Sequence, residues 1–183
     1  MLEGINVNLR VMEKEDLPLF VEWLNDPEVF GEYNPLRQVS KTEVEKDFEK
    51  GTIEIMDFIV EKKDGSKIGL ICHFTLVHPA GKILEIGYSL VPNERGKGYG
   101  TEAVKIMVDY LFLSKDVTRV QACTDTRNLA SQKVLEKAGF KKEGTMRQYL
   151  FMRGQQRDAC LYSILRKEWK EPKILTKKVE KSK

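Results

Sequence analysis

The chain has 183 residues, 41% hydrophobic and 32% charged, with 13 glycines and 6 prolines, which suits one globular domain of roughly 100–200 residues and excludes disordered and fibrous classes. No window reaches the ~18 uninterrupted apolar residues of a membrane span, and the opening Met1-Leu2-Glu3-Gly4 lacks the basic and apolar regions of a signal peptide, so a cytoplasmic protein without membrane association is expected. The net charge of +3 belongs to one end: from Pro172 onward five lysines face one glutamate, while the residues before it carry 26 basic and 27 acidic side chains.

Residues 1–171 therefore read as a single domain and 172–183 as a solvated basic tail; nucleic acid is not an expected partner. Cys72, Cys123 and Cys160 are odd in number, far apart and set in apolar runs, the pattern of buried thiols in a reducing compartment. A nucleophilic cysteine would need a histidine partner, and only His73 and His78 exist. No His/Cys/Asp cluster has ligand spacing, so no metal is expected.

Residues Ile5 to Met12 alternate apolar and polar side chains and predict a strand; Lys14 to Asn25 carry Leu17, Phe20, Val21 and Leu24 at helical spacing. Asp26-Pro27 ends that helix. Val29 to Val39, with Tyr33 and Pro35, reads as a substrate-side loop, and a second helix begins at Ser40 with Glu43 three residues on. Strands follow at Met56 to Lys62 and Lys67 to Val77 around Asp64-Gly65, a strong hairpin signal, and at Ile83 to Val91 after Pro79-Ala80-Gly81. These three predict an antiparallel meander.

Pro92 stops the last of them, and a Gly-rich turn enters a helix of about sixteen residues marked by Val104, Met107, Val108 and Leu111. Arg119 to Asp125 predicts a short strand, Asn128 to Ala138 a helix ended by Gly139, and Phe140 to Arg153 and Arg157 to Leu165 two strands meeting at Gly154-Gln155. The sum is a mixed α/β sheet with helices on its faces.

Chemistry concentrates in Arg95-Gly96-Lys97-Gly98-Tyr99-Gly100-Thr101. Where a strand turns into a helix, successive backbone N–H groups lack intrahelical partners, glycine lets an anion approach, and the helix dipole adds positive potential; a diphosphate is the natural ligand. Arg95 and Lys97 would add charge. The spacing is neither the Walker phosphate loop nor the dinucleotide Gly-x-Gly-x-x-Gly, so nucleoside triphosphates and NAD lose ground.

This turn, with Arg95, Gly98 and Gly100 in place after Pro92-Asn93, resembles the Arg/Gln-x-x-Gly-x-Gly/Ala pyrophosphate loop of the GNAT N-acetyltransferase superfamily. A second block, Asn128-Leu129-Ala130-Ser131 followed by Val134 to Phe140 and Glu143-Gly144, is similar to the family's helix beside the pantetheine arm. With Glu85-Ile86-Gly87-Tyr88 and the closing Gly154 and Asp158, the pattern resembles the RimJ/RimL-like branch, which acetylates ribosomal-protein N-termini. The resemblance implies a GNAT fold: a mixed seven-stranded sheet, splayed between its fourth and fifth strands, with helices on both faces. It implies acetyl-CoA in the splay, with Leu90 and Val91 pairing the pantetheine amides, Arg95 to Thr101 around the diphosphate, and Asn128 and Ser131 near the far arm. A homodimer through the last strands is a family-level expectation.

Amine attack on a thioester needs a neutral amine. A lysine side chain (pKa about 10.4) loses its proton at pH 7 at a cost of about 4–5 kcal/mol, whereas an α-amine (about 7.7–8.0) needs only about 1. An α-amine therefore places less demand on a general base, and the RimJ/RimL-like resemblance implies a protein N-terminal amine as the leading acceptor; a polyamine or aminoglycoside amine is the runner-up, and a CoA-binding module without turnover the alternative of a different class. Glu85, on the strand ending at the turn, is the candidate base, directly or through a water. The tyrosine that many relatives use as general acid is replaced here by Leu135, so Ser131 is the substitute, with Tyr88, Tyr149 and Tyr162 as further candidates. A glutamate some relatives use as base corresponds to Leu150. By analogy Tyr33, Glu32 and Asp57 are candidates for the amine pocket, each reading first as a surface residue, and His73 reads as a core histidine.

Overall fold

The computed structural model describes residues 1–50, 55–78, 81–170 and 172. The strands are β1 (Leu2–Glu3), β2 (Val7–Val11), β3 (Ile55–Lys62), β4 (Lys67–His78), β5 (Gly81–Leu90), β6 (Arg119–Asp125), β7 (Lys141–Met152) and β8 (Gln155–Leu165); the helices are α1 (Leu17–Asn25), α2 (Pro27–Phe30), α3 (Lys41–Glu49), α4 (Tyr99–Ser114) and α5 (Leu129–Lys137). All eight strands join one sheet in the order β1-β2-β3-β4-β5-β6-β8-β7. Every neighbouring pair is antiparallel except β5 and β6, whose parallel pairing needs a crossover, supplied by the sixteen residues of α4.

The expected elements are present, with one strand more. Leu2–Glu3 pairs with Leu9 and Asn8 and, at two residues, is too short to show a period. Part of the expected loop after Asn25 is helical instead: Pro27 pre-sets the first turn of α2, and the Asp26 carboxylate accepts from Glu28 N (2.8 Å) and Val29 N (3.4 Å). Ser40 caps α3 through Glu43 N, and Asn128 caps α5 through Ser131 N. The Pro79-Ala80 turn and, apart from Pro172, the basic tail lie outside the described residues.

Alternation along the strands sorts two cores. Phe58 and Val60 face α4, packing with Val104, Met107 and Leu111, while Ile59 between them turns to Trp23, Leu24 and Val44 of α1 and α3. Helices α4 and α5 thus cover one face of the sheet and α1 and α3 the other. The same alternation places Leu84 and Ile86 of β5 on the α4 face, so Glu85 between them faces α1 and α3. Among the described residues no helix is long and apolar enough to cross a membrane.

Asp16, 1% exposed, ties the start of α1 to the sheet. It accepts from Arg10 of β2 at 2.8 and 2.9 Å, from Lys67 of β4 at 2.6 Å, and from Glu13 N at 2.9 Å. The Arg10 hydrogen bonds hold its carboxyl well below the usual range, against the opposing effect of burial. Asp16→Ala leaves two cations without their buried partner and is expected to cost roughly 2–4 kcal/mol in urea unfolding. Because folding lowers this acid, its contribution is full above about pH 5 and is lost as pH falls through and below the unfolded value near 3.9. The urea midpoint of the wild type should therefore fall with acidification more steeply than that of Asp16→Ala.

Candidate active site

The parallel ladder between β5 and β6 is short: Leu84 pairs with Val120 and Glu85 with Gln121, and there it stops. Beyond it β5 stays with β4 as far as the Gly69–Leu90 pair, and β6 stays with β8 as far as Asp125–Ala159. The two strands part, and the gap opens a cleft of about 710 Å³, within the range of small-molecule sites. One end lies between α4 and α5, at Gly98, Thr101 and Ser131; the other lies under α2 and the segment after it, at Phe30 and Tyr33.

The Gly-rich turn forms the lip of the first end. Gly96 (φ 78°) and Gly98 (φ 91°) adopt left-handed backbone that side chains rarely take, and open space surrounds the position of a Cβ at each. Helix α4 begins immediately at Tyr99, so the amides from Gly98 to Thr101 have no intrahelical acceptor and face an approachable lip. Of the residues expected to hold the cofactor, Leu90, Arg95, Gly96, Gly98, Gly100, Thr101, Asn128 and Ser131 line the cleft.

The other three do not line it. Val91 continues the sheet through its N–H to Ile68 O at 3.0 Å, Tyr99 packs on the core, and Lys97 pairs with Glu94 at 3.0 Å on the surface. Arg95 is engaged with backbone: it donates to Leu90 O (2.8 Å), Glu28 O (3.0 Å) and Val29 O (2.7 Å), and its burial lowers its pKa. Its guanidinium fastens the turn to the end of α2. Positive charge at this end comes also from Lys133 and Lys137, whose i, i+4 spacing sets them one helical turn apart on one side of α5.

Two groups of polar side chains meet at the split, one from each face. On the α1/α3 face, Glu85 is 9% exposed and lines the cleft; its Oε2 accepts from Gln121 Nε2 at 2.7 Å and from Cys123 Sγ at 3.5 Å. Gln121 is oriented in turn by Arg119, which donates to its Oε1 at 3.4 Å and forks onto Glu143. Burial, with Glu85 beside it, pushes the Cys123 thiol up to about 12, which removes it as a thiolate nucleophile.

On the α4/α5 face, Tyr88 reaches from β5 to α5, its hydroxyl 2.8 Å from Ser131 Oγ and 3.2 Å from Ser131 O. Burial raises this phenol to about 12, with the Ser131 hydrogen bond pulling the other way, so it stays a protonated donor at neutral pH. Tyr162 is committed elsewhere, donating to Glu136 at 3.0 Å outside the cleft, and Leu135 is wholly buried. His73 is buried beside Tyr110, where burial and Lys115 lower its pKa, and it is not part of the cleft wall.

At the second end, the segment after α2 spans the gap. Ser89 of β5 donates to Val29 O at 3.1 Å, while from the opposite arm Arg153 donates to Gly31 O at 3.1 Å and Tyr33 donates to Arg127 O at 3.3 Å, with the Arg127 guanidinium over its ring. Tyr33 lines the cleft and Glu32 is exposed; the side chain of Asp57 lies outside the described residues. Asp125 binds Arg127 at 3.1 Å and Arg157 at 3.3 Å. Burial works against its ionisation, but these arginines outweigh burial and hold the carboxyl below the usual range. No group among the described residues could hold a metal ion.

Residues 6–141 match the acetyltransferase (GNAT) domain. The N-acetyltransferase p20 of Bacillus licheniformis is 33% identical over 170 residues, which are 89% of this chain and 94% of p20. The chain belongs to the GNAT acetyltransferase family. Its fold is shared with the spermidine N-acetyltransferase of Vibrio cholerae solved with CoA and spermine (TM-score 0.79, 22% identity, 89% of this chain and 97% of that one). It is shared equally with RimJ of Mycobacterium smegmatis solved with CoA-disulfide (TM-score 0.79, 24% identity, 91% and 85%), in line with the RimJ/RimL-like resemblance. Acetyl-CoA fits this cleft as co-substrate: the bared amides and open glycines suit its diphosphate, and the gap between β5 and α5 leads from them to Glu85.

Gly98→Asp puts a side chain and a negative charge at the lip, on left-handed backbone. Calorimetric titration with CoA is expected to show binding weakened at least ~100-fold, since one buried like-charge contact costs several kcal/mol. Unchanged affinity would contradict the placement of the diphosphate.

Proposed function

We propose that this chain transfers an acetyl group from acetyl-CoA to a primary amine, the N-terminal α-amine of a polypeptide, by direct attack in a ternary complex. The observation that carries this reading is Glu85, held by Gln121 in the cleft wall at the point where β5 and β6 part. Acetyl-CoA supplies an activated acyl thioester. Turn amides from Gly96 to Thr101, with Lys133 and Lys137 nearby, would hold its phosphates, and the inner edge of β5 leading to Leu90 would orient its amide arm. Glu85 takes the proton of the incoming ammonium, directly or through a water. The Ser131 hydroxyl, fixed by Tyr88 on the opposite face, donates a hydrogen bond toward the sulfur side of the site.

The charge balance supports a polypeptide over a polyamine. A polyamine leaves one or more further ammonium groups after the reacting one, and these need carboxylates. Among the described residues the cleft wall holds two, Glu85 and Asp125, and Asp125 is already neutralised by two arginines. Residues 1–171 acting as one domain in the cytoplasm, with a homodimer through β7 and β8, complete this reading.

Thiol release with N-terminal peptides and with spermidine tests it. Peptides are expected to be acetylated and spermidine to be a poor acceptor; CoA binding without cleavage in either series would point instead to a module without turnover. Glu85→Gln should lower kcat by about 10²–10⁴. For an α-amine, kcat/KM should rise with pH and level off above about 8, whereas a side-chain or polyamine acceptor would keep climbing toward 10.

A further inference from the structure

The half of the cleft facing α1–α3 has a wall unlike the half facing α4 and α5. It is built from Phe30, Tyr33, Phe74, Tyr149, Leu150 and Met152. Phe74 of β4 is the cross-strand partner of Glu85, so its ring stands beside the carboxylate on the same face of the sheet. Tyr149 of β7 comes to the same place from the other arm: burial, with Cys123 and Glu85 next in effect, raises its phenol above the ordinary range. Met152, 9% exposed, backs this wall from the end of β7. Among the described residues the charged side chains around it other than Glu85 are engaged, Asp125 with Arg127 and Arg157, Arg95 and Arg153 with backbone carbonyls of the α2 segment. With Glu85 taken up by the acceptor amine, a first side chain entering here meets rings and aliphatic groups and finds no other free counter-charge among the described residues.

We infer that this half of the cleft is the subsite for the first side chain of the acceptor polypeptide, and that it selects a long apolar side chain, as in a chain beginning with Met, Leu or Phe. The inference rests on the acetyltransfer reading above and adds the identity of the first residue. Small first residues leave the Phe74–Tyr149 space unfilled, and charged ones lose hydration with nothing to replace it. One missing methylene in such a pocket is commonly worth about 10–200-fold in kcat/KM.

The test uses the full chain, acetyl-CoA and peptides that differ only in the first residue: Met, Leu, Phe, Ala, Ser, Asp and Lys. Thiol release gives kcat/KM, and mass spectrometry confirms that the α-amine carries the acetyl group. The Met, Leu and Phe peptides are expected to exceed Ala and Ser by at least ~10-fold and Asp and Lys by more. In Phe74→Ala and in the surface-accessible Tyr149→Ala, the Met-to-Ala ratio should collapse toward one, with CoA affinity by calorimetry reporting that each variant is folded. Equal or better turnover of the Ala, Ser, Asp or Lys peptides overturns the subsite, as does an unchanged Met-to-Ala ratio in both variants. Absence of turnover with every peptide and with spermidine overturns the acetyltransfer reading itself, and the subsite with it.

Discussion

Everything the site can do depends on the ladder between β5 and β6 ending at Glu85 and Gln121. A continuous parallel ladder would pair the backbone of Ile86 to Leu90 with that of Ala122 to Asp125 and seal the sheet. The break is stable because each strand keeps a full antiparallel partner on its outer side, β4 for one and β8 for the other. What remains are two short inner edges without a ladder partner, apart from ends tied down locally, as Leu90 O is by Arg95 and Asp125 O by Asn128 N. A sheet edge of this kind is a template for an amide-bearing chain, and here it lies inside the protein, where a flexible ligand with amide groups of its own can use it.

Splitting the sheet also joins its two faces. Strand alternation puts Glu85, Gln121 and Phe74 on the α1/α3 side and Tyr88 on the α4/α5 side, where it meets Ser131. A carboxylate and a pair of hydroxyls that would otherwise be separated by the thickness of the sheet thus open onto one cleft. Acyl transfer requires this arrangement, since the nucleophile loses a proton on one side of the carbonyl carbon while the sulfur gains electron density on the other. Helix α2 and the segment after it are fastened to both arms of the split, by Ser89 and Arg95 on one and Arg153 and Arg127 on the other, and so hold this end of the cleft at a fixed width.

Much of this was legible in the residues. Period-two and period-3.6 patterns located the long elements to within three residues, because each has one face in a core, as Phe58 and Val60 show against Ile59. The turn at Gly96 and Gly98 was legible because left-handed backbone restricts residue choice. Less visible were features set by packing across long sequence separations. Nothing near Arg95 in the chain says that its guanidinium reaches the carbonyls of residues 28 and 29, nor that Tyr88 meets Ser131 across 43 positions. Gln121 and Phe74 carry no motif; only the register that sets each opposite Glu85 gives them a role. The single turn of α2 hid behind Asp26-Pro27, which served equally as a stop signal for α1 and a start signal for the next helix.

The central claim is that the turn entering α4 grips the diphosphate of coenzyme A with its backbone amides. Amide chemical shifts followed by nuclear magnetic resonance during titration with CoA address this at the atoms concerned, since Gly96, Gly98 and Gly100 resonate in the sparsely populated glycine region. The account predicts that the amides from Gly96 to Thr101 move most, and that pantetheine without the diphosphate leaves them nearly still. Large shifts confined to other parts of the chain, with these amides unmoved at saturating CoA, would contradict it.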